Sequence, residues 1–251
     1  MRDLSIVIPA YNEEHRIGET LESIASFLAD RDGDDEVIVV DDGSTDRTVE
    51  VVRSYTPRIA RLGVMVGDRN VGKGHAVRRG MLTVTGRHRL FLDADNSTDV
   101  REFDRLMAAA AAEPIEPAVV IASVAVAGAS VSVRQPGIRA ALGRIGNIVI
   151  QRMVLPGIAD SQRGFKLFTG EACDAIFRRC RTDGWAFDVE VLALARALGY
   201  HVLEVPVTWE HRDDSRVSPG AYFTTLLDVA RIRARVQREA REIEELTSAN
   251  G

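Results

Sequence analysis

Asp93 and Asp95, one residue apart, directly follow the apolar run Leu90-Phe91-Leu92. A buried strand at that run delivers both carboxylates, with Asn96 beside them, to the rim of a hydrophobic interior. Hard oxygen ligands grouped this way suit Mg²⁺ or Mn²⁺, which takes one or two carboxylates and fills its shell from substrate phosphates. Such an ion would offset charge collecting on a departing diphosphate. The same letters also fit a turn before a helix, with Thr98 or Asp99 capping the stretch Val100 to Ala112.

Three other segments keep this pair company. Leu4-Ser5-Ile6-Val7-Ile8 is an apolar run stopped by Pro9, and Ala10-Tyr11-Asn12-Glu13-Glu14 then heads an amphipathic helix, so the segment reads as strand, loop, helix. Glu36-Val37-Ile38-Val39-Val40 ends in Asp41-Asp42-Gly43-Ser44-Thr45-Asp46, again placing carboxylates at the carboxyl end of a strand, where open α/β sheets bind ligands. Ser44 or Thr45 reads as the N-cap of the helix that follows. Asn70-Val71-Gly72-Lys73-Gly74-His75 brings glycines and a lysine to a helix start, where backbone N–H groups and positive charge suit phosphate. Its spacing is not that of a P-loop, which argues against hydrolysis of a nucleoside triphosphate.

The strand-like runs continue at Val64 to Val66, Arg89 to Leu92, Val119 to Ala122 and Val202 to Val207, alternating with helical stretches. This is the pattern of an α/β chain with a largely parallel sheet covered on both faces. At 251 residues the chain can bury a sizeable core. The one internal boundary is Glu113-Pro114-Ile115-Glu116-Pro117, where two prolines end a helix that closes on Ala108 to Ala112. It separates a half at 1–112 from a half at 118–217, and 218–251 follows as an amphipathic, charged C-terminal helix.

A formal charge of −5 argues against a nucleic-acid partner. Met1-Arg2-Asp3 enters the first strand at once, and no apolar run reaches the eighteen or so residues of a spanning helix, so the expected place is the cytoplasmic side. Cys173 and Cys180 fall in one predicted helix, roughly 10 Å apart at 1.5 Å per residue, too far for a disulfide. With five scattered histidines they offer no zinc-ligand spacing.

In order along the chain, Pro9-Ala10-Tyr11-Asn12-Glu13-Glu14, Asp41-Asp42-Gly43-Ser44, Asn70-Val71-Gly72-Lys73-Gly74 and Asp93-Ala94-Asp95 resemble the inverting family 2 glycosyltransferases of the GT-A fold. Asp160-Ser161-Gln162-Arg163-Gly164-Phe165-Lys166-Leu167-Phe168, Trp185-Ala186-Phe187-Asp188-Val189-Glu190, Val205-Pro206-Val207-Thr208-Trp209 and Ser215-Arg216-Val217 narrow the likeness to polyprenyl-phosphate (dolichyl-phosphate) glucose and mannose synthases. The resemblance runs from about Leu4 to Val217. It implies a single Rossmann-like domain, a nucleotide sugar as donor, a polyprenyl phosphate as acceptor and Mg²⁺ or Mn²⁺ as cofactor. Asp93 and Asp95 would hold the metal. Pro9, Tyr11, Asn12, Glu13, Asp41, Asp42, Lys73, Asp93 and Ala94 would contact the donor, with Tyr11, Glu13 and Asp42 at base and ribose. Arg212 and Arg216 would meet the acceptor phosphate, and Asp188 would orient sugar or acceptor. Asp188 as an N-cap of Val189 to Leu198 is the alternative, as is Trp185 in the core rather than stacked on a sugar.

Three departures bear on that likeness. Ser97 stands where mannose synthases commonly carry glutamine, which favours UDP-glucose over GDP-mannose. Val124, in Ile121-Ala122-Ser123-Val124, stands where relatives often place an arginine near the phosphates, so Arg134, Arg139 or Arg163 would have to supply that charge. Arg216 stands where lysine is frequent.

The stretch from Arg134 to Leu155 mixes arginines with Ile138, Leu142, Ile145, Ile148 and Ile150. It can lie on a membrane surface next to a lipid acceptor or dock on the sheet. Ala221 to Leu246 reads as one helix whose Arg231, Arg233, Arg235, Arg238 and Arg241 can face anionic lipid, pair with glutamates in solvent, or join two copies in a homodimer. Relatives often anchor through spanning helices beyond the catalytic part, so the expectation here is peripheral binding on the cytoplasmic face or a membrane-embedded partner. Three other functions stay open: a soluble hydroxyl acceptor on the same fold, a non-catalytic sugar-nucleotide binder, and a nucleotidyltransferase, whose N-terminal Gly-rich signature is missing.

Overall fold

The computed structural model describes residues 2–131, 150–210 and 228–242. The elements in chain order are β1 (Leu4–Ala10), α1 (Ile17–Ala29), β2 (Glu36–Asp41), α2 (Thr48–Ser54), β3 (Leu62–Val66), α3 (Lys73–Thr83), β4 (His88–Leu92), α4 (Glu102–Ala112), β5 (Val119–Ser123), β6 (Ser130–Val131), α5 (150–153), β7 (Phe165–Thr169), α6 (Gly170–Phe177), α7 (Phe187–Ala197), β8 (Val202–Pro206), β9 (Thr208–Trp209) and α8 (228–242). Seven strands form one sheet in the order β3-β2-β1-β4-β7-β5-β8, and β6 pairs with β9. All but β7 run the same way, and β7 is antiparallel to both β4 and β5.

Why these runs are strands follows from burial on both faces. Along β1, Leu4, Ile6 and Ile8 enter the core beneath α1 and α4, whereas Val7 enters the core beneath α3, α6 and α7. Successive strand side chains point to opposite faces, so a continuously apolar run is what a sheet covered on both sides requires.

The chain passes from β3 through α3 to β4 on the far side of β1, which makes the β1–β4 boundary the switch point where ligands of open α/β sheets bind. Pairing of β1 with β2 continues to Ala10↔Asp41, but pairing with β4 stops at Val7↔Phe91. The two strands therefore part at their carboxyl ends. Pro9 lies beyond the last β1–β4 pair, where a missing N–H interrupts no ladder on that side.

The structure adds to the sequence reading at β7, at the connector and at the C-terminal helix. β7 was not foreseen as a strand, because the charged Lys166 interrupts its apolar pattern, yet Lys166 is fully buried there. As one Rossmann-like domain requires, the halves on either side of the Pro114–Pro117 connector share one sheet, since β5 joins β4 through β7. α8 docks its apolar side within the chain: Val229, Ile232 and Val236 sit in the same core as α3, α6 and α7. Ile150 and Leu155, from the stretch left open between a membrane surface and docking on the sheet, also lie in that core, as docking requires.

Candidate active site

The turn after β4 is built around its carboxylates. Asp93 N donates to Gly164 O at 3.0 Å, tying the turn to the start of β7. A Cβ on Gly164 would stand 2.1 Å from Asp93 Oδ2, so only glycine admits the Asp93 carboxylate in this place. From the other side, Thr20 Oγ1 of α1 donates to Ala94 O at 2.7 Å. Asp95 Oδ1 accepts from Ser97 N at 3.0 Å, and Asn96 takes the positive φ (54°) that asparagine tolerates. Asp99 accepts from Arg101 N at 2.8 Å, and α4 starts only at Glu102. The segment is thus a turn before a helix, and it leaves the Asp93 and Asp95 carboxylates at the end of β4.

Asp93 and Asp95 face a cavity of about 110 Å³, lined also by Ser97, Thr98, Gln162, Arg163, Gly164 and Trp209. Among the described residues no three acidic, histidine or cysteine side chains converge. A divalent ion here would therefore have two carboxylates and would draw its remaining oxygens from substrate, which is how Mg²⁺ is usually bound and what this donor set fits.

Behind the pair lies a chain of buried charges. Lys73 Nζ is 2.6 Å from Asp93 Oδ1, and the ammonium lies 5.5 Å from the Trp185 ring centroid and 5.8 Å from that of Phe187. Burial works against the Lys73 charge, but Asp93, Asp188 and Asp95 outweigh it and raise its pKa. Asp188 Oδ1 accepts from Lys166 Nζ at 2.5 Å, and Lys166 also donates to Arg163 O at 2.5 Å. Burial pushes the Asp188 pKa up, against the opposing pull of Lys166 and Lys73. Asp188 is the second residue of α7 and does not cap it.

The nucleotide-side residues are interlocked. Asn12 N donates to Ser44 Oγ at 2.8 Å, and Thr45 N returns a bond to Asn12 Oδ1 at 2.8 Å. Ser44 and Thr45 hold this loop rather than capping α2, a task Asp46 performs through Thr48 N at 3.0 Å. Glu13 pairs bidentately with Arg16, both contacts at 2.7 Å. Asp41 accepts from Ser44 N at 3.1 Å. Gly43 has φ 77° and packs on the Arg69 backbone. Asp42 Oδ2 accepts from Val71 N at 3.0 Å and Gly72 N at 2.7 Å, and its pKa is raised by burial against those two bonds. Tyr11 stands exposed at the mouth of the crevice. Of the Asn70–Gly74 amides, those of Val71 and Gly72 are taken by Asp42, and just beyond them His75 N donates to Asp183 O at 3.2 Å.

The sequence leaves Trp185 open between core and sugar stacking, and makes Arg163 one of three arginines considered for the phosphate charge. Trp185 is 43% exposed and so is no core residue. Arg163 emerges as the cation of the cavity: Asp160 Oδ2 accepts from its Nε at 3.0 Å and from Val124 N at 3.2 Å, while its guanidinium lies 4.5 Å over the Trp209 ring. Lys166, Gly164 and Trp209 were not singled out as site residues, because their roles depend on the β4–β7 register. Arg134, Arg139, Arg212 and Arg216 lie outside the described residues.

Residues 5–177 match the profile of Glycosyl transferase family 2. The chain belongs to that family. The dolichyl-phosphate beta-glucosyltransferase of Dictyostelium discoideum is 34% identical over 92% of this chain and 74% of its own length. The enzyme of that name from Saccharomyces cerevisiae is 34% identical over 86% and 69%, and that of Homo sapiens 31% identical over 99% and 80%. Among solved structures, glucosyl-3-phosphoglycerate synthase from Mycobacterium tuberculosis, in complex with Mn²⁺, UDP and glucosyl-3-phosphoglycerate, superposes with a TM-score of 0.68 at 22% identity over 92% of this chain and 80% of that one. The same synthase with Mg²⁺ and UDP gives 0.68 at 21% identity over 92% and 79%. The fold is thereby that of the GT-A glycosyltransferases.

Proposed function

We propose that this glycosyltransferase moves glucose from UDP-glucose to a polyprenyl phosphate of the dolichyl type, with inversion at the anomeric carbon. The observation that carries the reading is the cavity at the carboxyl end of β4, which Asp93, Asp95 and Arg163 line together. The names of the relatives support glucose and the lipid phosphate, and the Mn²⁺, Mg²⁺ and UDP named with the fold neighbours agree with a divalent ion and a uridine donor.

Mg²⁺ or Mn²⁺ on Asp93 and Asp95 would supply positive charge to the diphosphate leaving group. Lys73 fixes the Asp93 carboxylate and adds charge behind it. Arg163, oriented by Asp160 and Trp209, offers its outer N–H groups to a phosphate, the charge that Val124 does not provide. Asp42 holds the Val71-Gly72 loop, which shapes the nucleoside side beside the exposed Tyr11. A lipid phosphate is already anionic at neutral pH, its second pKa being about 6, so no strong general base is required. Asp188 accordingly serves as the buried partner of Lys166 rather than as a base. Catalysis rests on positioning and on neutralising two sets of phosphates. Arg212 and Arg216 are proposed for the acceptor phosphate on the family resemblance.

Among the described residues no helix is long and apolar enough to cross a membrane. The outward side of α8 carries the exposed Arg231, Arg233, Arg238 and Arg241, which supports peripheral binding to an anionic leaflet at about 1 kcal/mol per arginine near the surface. The deciding experiment offers short polyprenyl phosphate in detergent with Mn²⁺ and labelled UDP-glucose or GDP-mannose in parallel. Organic-phase label from UDP-glucose, lost with a chelator, is the expected result. Label from GDP-mannose instead would overturn the donor, and label found only in soluble products would overturn the acceptor.

A further inference from the structure

Arg235, on α8 and beyond the residues that match the family profile, joins the C-terminal helix to the donor site. Its Nη2 lies 2.5 Å from Glu190 Oε1 of α7 and donates to Thr182 Oγ1 at 3.0 Å. Glu190 is fully buried, and its carboxylate accepts from Arg181 N at 3.0 Å and Thr182 N at 2.7 Å. The loop between α6 and α7 is thus gripped from both sides by one ion pair.

That loop is the wall against which the start of α3 is seated. A Cβ on Gly72 would stand 2.4 Å from Asp183 O, and one on Gly74 would stand 2.4 Å from Thr182 O, so the two backbones are in direct contact. His75 N donates to Asp183 O at 3.2 Å, Arg78 pairs with Asp183 Oδ1 at 3.1 Å and donates to Cys180 O at 3.1 Å. Lys73, between those glycines, reaches Asp93, and Val71 N and Gly72 N hold Asp42. Trp185, from the same loop, covers the Lys73 ammonium. Interiors this closely packed transmit a displacement rather than absorb it.

We infer that Arg235 is a positioning residue: by clamping the loop at 181–185 through Glu190 and Thr182, the docked C-terminal helix sets the placement of Lys73 and of the Val71-Gly72 amides, and thereby the affinity for the donor nucleotide. The inference rests on the reading of Asp42 and Lys73 as donor-site residues.

The test is calorimetric titration of UDP with Mn²⁺ into the full chain and three variants, with melting temperatures and transfer kinetics beside it. Arg235→Gln should weaken UDP at least fivefold and lower kcat by a similar factor, with the KM for lipid phosphate within twofold. Arg235→Lys, which keeps the charge opposite Glu190 but cannot also fork to Thr182, should hold the melting temperature and weaken UDP about threefold. Val229→Ala loosens the packing of the same helix without touching Thr182, and should lower the melting temperature while leaving UDP affinity within twofold. Equal UDP affinity in Arg235→Lys and wild type, or an equal loss in Val229→Ala, would overturn the inference. Absence of UDP binding by the wild-type chain would instead remove the proposed function, and this inference with it.

Discussion

Asp93 owes its position to a residue that contributes no side chain. With a Cβ at Gly164 falling 2.1 Å from Asp93 Oδ2, Gly164→Ala must turn the carboxylate away from Lys73 and from the cavity. The expected outcome is a loss of transfer of about 100-fold, the scale of removing one preorganised electrostatic contact, with a folded circular-dichroism spectrum. Near-normal turnover would show that the carboxylate position is not critical. The cysteines have the opposite character. Burial holds the Cys173 thiol at about 12, against the pull of Arg89, so at neutral pH it stays protonated and unreactive. Iodoacetamide should label neither Cys173 nor Cys180 in the native protein and both after unfolding, by intact mass. Rapid native labelling would contradict their burial. At this scale the carboxylate pairs 41–42 and 93–95 were legible in the sequence because each is a local string after an apolar run. The pairing of Lys166 with Asp188, 22 residues away, was not, since it depends on which strand receives Lys166.

Elements that follow one another as strand, loop and helix were also legible, and β1, β2, β4, β5 and β8 lie where apolar runs predicted them. β7 was hidden because a lysine inside a strand argues for an edge or a loop, and only its insertion between β4 and β5 supplies the buried partner. Helix caps were misassigned for a related reason. Ser44 and Thr45 meet Asn12 from another loop, a competition that local capping rules do not see. The Lys166–Asp188 pair yields a prediction for this scale. Lys166→Met leaves Asp188 buried without its main partner and should cost about 3–5 kcal/mol in urea unfolding, whereas Lys166→Met with Asp188→Leu should recover most of it. A single variant as stable as wild type would mean that Asp188 is protonated or rehydrated in the native state.

At the scale of the whole molecule, carboxylates from the ends of β2 and β4 stand on either side of the switch point where β1 and β4 part, and the 182–183 backbone packs on the start of α3. The match to the family profile ends at residue 177, yet α7, β8 and α8 complete both the sheet and the core beneath the site. Charge patterning alone made α8 a solvated, lipid-facing or dimer-forming helix, and only packing shows that Val229, Ile232 and Val236 point inward. The account turns on Asp93 and Asp95 serving transfer to a lipid phosphate. Its most direct test compares wild type with Asp95→Asn for glucose label entering the organic phase from UDP-glucose, polyprenyl phosphate and Mn²⁺, with unfolding monitored in parallel. Chelator-sensitive product from wild type and at least about a 100-fold loss in an equally stable Asp95→Asn protein are expected. Undiminished lipid-linked product from a folded Asp95→Asn chain would contradict it.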